Sequence, residues 1–182
     1  MDRSAALELL KSHVRNKNLV KHCVACEAVL GALAKRLCED EATWRLAGLL
    51  HDVDYDQTAD SPETHAAIGG KILEEAGLDG AVVHAVLAHN DKAPRESTLD
   101  KALWCVDPLT GLIVAAALIR PEKKLALIDA QFVLNRMKEK GFARGANREQ
   151  IKACEAELGL SLDEFVDIGV KSMQEVSGEL GL

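Results

Sequence analysis

Aromatic residues are scarce in this 182-residue chain: one tyrosine, two tryptophans and three phenylalanines make up 3% of it. A core must then be built from Leu, Ala, Val and Ile, a mixture that favours helices over strands. Excess positive charge is absent too, since 29 acidic residues outnumber 22 basic ones and the net charge is −7. That balance argues against an electrostatic grip on nucleic acid or anionic lipid, which starts from a basic face. The most apolar stretch, Leu109 to Ile119, is shorter than the roughly 20 residues a bilayer span requires, so it is expected to be a core helix. No membrane partner is expected. Five cysteines without a secretory apolar segment after Met1 read as reduced thiols, and the expected location is the cytoplasm. Neither a strained nucleophile turn nor a glycine-rich phosphate loop occurs, so no Ser or Cys nucleophile and no P-loop offers a route to catalysis.

What is present is helical periodicity from end to end. Leu19, Cys23, Cys26, Val29, Leu30, Leu33 and Leu37 recur at three- and four-residue spacing, predicting a long helix with His22 in its first turns. Asp40 is placed to cap a helix from Glu41 to about Leu50 or Asp52, and Val53–Asp60 should be a loop over a pocket mouth. Ser61-Pro62 predicts a restart running to Gly77. Asp79 caps the next helix, which ends near His89, and Ser97 with Asp100 forms a capping-box signature for the helix carrying Trp104, Asp107 and an internal Pro108. A further helix is expected from Pro121 to Gly141, with others opened by Asn147 and Ser161. No strand, repeat or linker is evident, so the fold class is all-α, a single-domain helical bundle over residues 1–182.

One stretch concentrates chemistry. The apolar run Leu46-Ala47-Gly48-Leu49-Leu50 leads directly into His51-Asp52-Val53-Asp54-Tyr55-Asp56. Adjacent His and Asp at a core boundary need partners, and a metal ion or a tight hydrogen-bond network supplies them. His22, His51, Asp52, His65, His89 and Asp107 fall at ends or kinks of successive predicted helices, and a shell of imidazole and carboxylate suits divalent transition metals: Mn, Fe, Co, Ni or Zn. Asp52 is also a candidate catalytic residue, and Asp54, two residues on, is a candidate proton acceptor. Tyr55 either stacks on a base or anchors its loop. Cys23 and Cys26, though adjacent to His22, sit at helical spacing on an apolar face and read as core thiols. Trp44 and Trp104 read as core residues, and His13 and His84 as surface or packing groups.

The order His22, then His51-Asp52, then Asp107 resembles the HD superfamily of metal-dependent phosphohydrolases, over about Leu19 to Ala117. The resemblance implies an all-helical domain of the HD type in which those four residues hold one metal. His65, in His-Ala-Ala-Ile-Gly-Gly-Lys-Ile-Leu, and His89, in Val-Leu-Ala-His-Asn, resemble the additional ligands of dinuclear branches, implying a second ion bridged by Asp52. Among those branches the layout is similar to small bacterial enzymes that hydrolyse diadenosine tetraphosphate, and more distantly to cyclic-di-GMP phosphodiesterases, whose Gly-Tyr-Pro segment is missing here. The implied function is a phosphohydrolase acting on a small phosphorylated molecule, a nucleotide, by metal-activated water. The alternatives are a metal- and nucleotide-binding regulatory module without turnover, and a helical scaffold with structural histidines. The helices of residues 121–182 are expected to pack on or cap the core of residues 19–117, with Arg144 and Arg148 the basic side chains assigned to substrate phosphate; Gly145 would permit close backbone approach. A homodimer is compatible with the sequence.

Overall fold

The computed structural model describes residues 1–182 and contains twelve α-helices and no strand. They are α1 (Arg3–His13), α2 (Lys17–Leu37), α3 (Glu41–Leu50), α4 (Tyr55–Thr58), α5 (Ala67–Glu75), α6 (Gly80–His89), α7 (Thr98–Leu118), α8 (Ala130–Met137), α9 (Arg148–Lys152), α10 (Cys154–Leu158), α11 (Leu162–Glu175) and α12 (Ser177–Leu180). The bundle is organised around α2 and α7, each 21 residues long. α3 and α11 pack on α2, while α6, α9 and α10 pack on α7. One continuous apolar core runs from Ala6 to Leu180, so the last third shares its interior with the first two.

Local chemistry explains most helix starts. The carboxylate of Asp40 accepts the backbone N–H of Thr43 at 2.8 Å. Ser97 and Asp100 complete a reciprocal capping box at the head of α7, satisfying donors that a helix N-terminus otherwise leaves free. Asp79 caps α6 through Ala81.

Three expectations require correction. Ser61-Pro62 does not open a helix: residues 62–66 form turns, and α5 begins at Ala67 after Ala66 adopts φ +67°. The segment after Pro121 is not continuous either. Buried Leu125 and Ile128 pin a short 3₁₀ turn to the core, and the Gln174 amide donates to both their carbonyls at 2.9 and 3.0 Å. Asp129 then recaps the chain for α8. Third, Val53–Asp60 is not wholly a loop, because Tyr55–Thr58 makes one helical turn.

Helix α7 is long and apolar enough to cross a bilayer by length and composition alone, whereas the sequence reading counted only Leu109 to Ile119. Its apolar side chains instead line the core of the bundle. Pro108 lies inside it and has no N–H to offer the carbonyl of Trp104 one turn earlier. The freed carbonyl accepts the side-chain amide of Gln150 from α9 at 2.6 Å. Gln150 thus turns its side chain to α7, while its backbone N–H donates to the Asn147 side-chain oxygen that caps α9.

Candidate metal centre

The six ligand-type residues come together at one end of the bundle. His22 comes from α2, His51 and Asp52 follow α3, His65 precedes α5, His89 ends α6, and Asp107 lies inside α7 immediately before Pro108. The close crossing of α2 and α3 depends on Gly48, where an added Cβ would lie 2.8 Å from the backbone of Cys26 and Glu27. That crossing brings the Nε2 atoms of His22 and His51 to 3.2 Å.

Each imidazole is oriented from behind. A carbonyl can only accept, so the contact of His51 Nδ1 with Gly48 O at 2.9 Å fixes the proton on Nδ1, and the same holds for His89 on Val86 O. Thr110 donates its hydroxyl to Asp107 O at 3.0 Å and therefore accepts from His22 Nδ1, also at 3.0 Å. His65 Nδ1 donates to Asp54 Oδ1 at 2.8 Å. All four Nε2 atoms consequently face the carboxylates of Asp52 and Asp107, with the tautomer that metal ligation needs.

Two clusters result, joined by one carboxylate. Oδ2 of Asp52 lies 3.5 Å from His51 and 3.8 Å from His22, whose Nε2 is 3.1 Å from Asp107 Oδ1. Oδ1 of Asp52 lies 3.3 Å from His65 and 3.7 Å from His89. Neighbouring ligands around a first-row ion, with bonds of about 2.0–2.2 Å, stand roughly 3–3.5 Å apart, so the donor set fits such an ion in each cluster. Magnesium or calcium would sit less well among four imidazoles.

The electrostatics agree. Burial opposes charge on Asp52 and Asp107, yet the surrounding imidazoles hold both carboxyls below their ordinary range. Burial opposes charge on His22 as well, but Cys26 and Asp107 outweigh it and raise its pKa, while burial lowers that of His51. His65, despite partial burial, is raised to about 9 by its hydrogen bonds to Asp52 and Asp54. Negative charge is thus built in, and the rings of His22 and His65 hold a proton against it that a cation must displace.

A cavity of about 460 Å³ opens over the clusters, walled by Tyr55, Asn90, Trp104 and Gln150 among others. Tyr55 is 45% exposed, with its ring edge-on to His65. Trp104, read from sequence as core, is instead a cavity wall, and the guanidinium of Arg95 stacks 4.2 Å from its ring centroid. Its position three residues before Asp107 was the available signal, since that spacing shares a helix face.

Two assignments need correction. Asp54 is completely buried, with one oxygen on His65 and the other accepting Gly69 N–H at 2.7 Å. With both oxygens committed it orients His65 and does not take a proton from the cavity. Arg148 folds onto the carbonyls of Phe142, Ala143 and Ala146, so its guanidinium braces that loop and is not free for a phosphate. Arg144 is exposed on the same loop, whose Ala143, Gly145 and Ala146 line a second groove reaching His22 and Asp107.

The HD domain family model matches residues 19–132, and the chain belongs to that family. The match begins just before His22 and runs past Asp107, so it includes all six residues of the two clusters. Among relatives, the chain is 30% identical over 96 residues to Ribonuclease Y of Oleidesulfovibrio alaskensis, covering 53% of this chain and 18% of the relative. It is 30% identical over 95 residues to Ribonuclease Y 2 of Levilactobacillus brevis, covering 52% and 18%. The chain therefore spans less than a fifth of the length of these relatives. No solved structure matches it.

Proposed function

We propose that the chain is a metal-dependent phosphohydrolase for a small nucleotide-type phosphate, with His22, His51, Asp52 and Asp107 holding one divalent transition metal and Asp52, His65 and His89 a second. The observation that supports this best is the convergence of four back-braced imidazoles on the two oxygens of a single carboxylate, Asp52. Ions bound there would acidify water to supply hydroxide and offset phosphoryl charge, chemistry that needs no Ser or Cys nucleophile. The protein's own part is positional. Asp52 holds the clusters in register, Asp54 and Thr110 fix imidazole orientation, and Tyr55 and Trp104 present aromatic surface beside the phosphate site. A cavity of about 460 Å³ suits a mononucleotide-sized group.

RNA is the second reading, favoured by the similarity to proteins named Ribonuclease Y. Here the cavity would take a single unstacked nucleotide of a strand, although the acidic balance of this chain gives little backbone attraction. To separate the readings, stripped protein reloaded with Mn, Fe, Co, Ni or Zn is assayed on nucleoside monophosphates, dinucleoside polyphosphates, cyclic dinucleotides and single-stranded RNA. Turnover of a small nucleotide, lost with metal in Asp52→Ala, is expected. Faster turnover of RNA selects the second reading, and nucleotide binding without turnover selects the regulatory module. Unchanged metal content in Asp52→Ala refutes the centre.

A further inference from the structure

The thiol of Cys26 stands within coordinating reach of the first cluster and has no part in the ligand pattern that defines the site. Its position follows from helix geometry: Cys26 is one turn after His22 on α2, and residues four apart share a face. Sγ lies 3.9 Å from His22 Nε2, and the donor atoms of His22, Cys26 and His51 all fall within 4.8 Å of one another. In a mixed nitrogen–sulfur shell, with bonds of about 2.0 Å to nitrogen and about 2.3 Å to sulfur, adjacent donors are roughly 3.3–3.8 Å apart. The observed 3.2 Å between imidazoles and 3.9 Å to sulfur lie close to that range.

A purely structural thiol would be surrounded by apolar atoms. Cys26 is fully buried, yet its sulfur faces an imidazole on one side and the Thr110 hydroxyl, at 3.6 Å, on another. Thr110 spends its proton on Asp107 O, as His22 Nδ1 requires, so the hydroxyl has no hydrogen to give the sulfur. Cys26 therefore receives no hydrogen from either neighbour; its own S–H donates to one of them, and the sulfur lone pairs are left free for a cation.

We propose that Cys26 is a sulfur ligand of the ion held by His22 and His51, making that position selective for thiophilic metals over manganese. This rests on the metal centre proposed above. As the metal–sulfur bond forms, the thiol proton passes to solvent, and the soft donor favours zinc, cobalt, cadmium or ferrous iron over harder ions.

Cobalt is the probe, because its spectrum reports ligand type without turnover. Full-length protein is stripped, reloaded with Co²⁺, and compared with Cys26→Ser and Cys26→Ala. Expected for the parent are visible ligand-field bands plus a near-ultraviolet sulfur-to-cobalt charge-transfer band; both variants should keep the first and lose the second. Visible bands without a charge-transfer band in the parent overturn the Cys26 assignment while leaving the metal centre standing. So does a charge-transfer band that persists in both variants. Failure of the parent to retain any cobalt overturns both. Absence of the band in the parent overturns the assignment without any variant, and where Cys26→Ala does not fold, the conservative Cys26→Ser carries the comparison.

Discussion

Asparagine at position 54 preserves shape and removes only a charge and an acceptor, and its consequence can be worked through the hydrogen bonds. Asp54 accepts from His65 Nδ1 on one oxygen and from Gly69 N–H on the other. An asparagine can offer oxygen to one of these donors only. With its oxygen on Gly69, its NH₂ group faces His65, whose Nδ1 must then accept, and the ring proton moves to Nε2, where it blocks ligation. With the amide turned round, NH₂ opposes the Gly69 N–H, leaving buried donors unpaired at a cost of about 1–3 kcal/mol. Either arrangement weakens the Asp52–His65–His89 cluster and leaves His22, His51 and Asp107 untouched. Loss of an orienting partner behind a metal-bound histidine costs about 10–100-fold in affinity, or roughly 1.4–2.7 kcal/mol. Calorimetric titration of stripped protein with Co²⁺ should show two classes of site in the parent, and Asp54→Asn should weaken one class by that factor and shift the other by less than about twofold. Nitrogen NMR of the His65 ring reports the tautomer directly. Two unaltered classes in Asp54→Asn, with His65 still protonated at Nδ1, would refute the reasoning.

Other outcomes follow from the same geometry. Gly48→Ala places a Cβ against the α2 backbone, so it should cost about 1–3 kcal/mol by overpacking, lower Tm by roughly 3–9 °C, and weaken metal at the His22–His51 cluster; unchanged Tm and affinity would show that the helices can part freely. Because His65 is raised from 6.5 to about 9, its contribution to the stability of metal-free protein is complete below about pH 6.5 and disappears as pH rises through about 9. An ion must displace that proton, so affinity at this cluster should climb by up to about tenfold per pH unit between those limits, and a flat titration would contradict the assignment. Gln150→Leu leaves the Trp104 carbonyl unpaired beside Pro108 and should destabilise the protein by about 1–3 kcal/mol, measured by urea denaturation.

The parts legible in the sequence were those set by near neighbours. Asp40, Asp79 and Ser97 cap helices through atoms two or three residues away, and the apolar run into His51-Asp52 marks a core boundary without any tertiary information. His22 and Asp107 were legible as ligand-type groups, but their pairing on one ion came only through family resemblance, because nothing local says that two residues so far apart will meet. Arg148, Gln150 and Gln174 were opaque for the opposite reason: each serves a backbone carbonyl, and sequence does not reveal which carbonyls are left free by a kink or turn. Trp104 shows that an apolar position beside a ligand can be a wall as readily as core. Asp54 was noticed for its charge, but which way a carboxylate points depends on α5, placed by the turns after Pro62.

The distribution of the ligands along the chain also bears on how the protein folds and comes apart. Thr110 and His22, which orient the first cluster together, are separated by 88 residues, and closing a loop of that length costs about 4 kcal/mol of chain entropy. The α2–α3 hairpin can form from local contacts, whereas the centre is complete only after α7 has docked. An ion captured at that stage stabilises the native state far more than the barrier leading to it. Its removal is then expected to accelerate unfolding and hardly alter the folding rate, so that the centre would set the lifetime of the folded chain rather than the speed of reaching it.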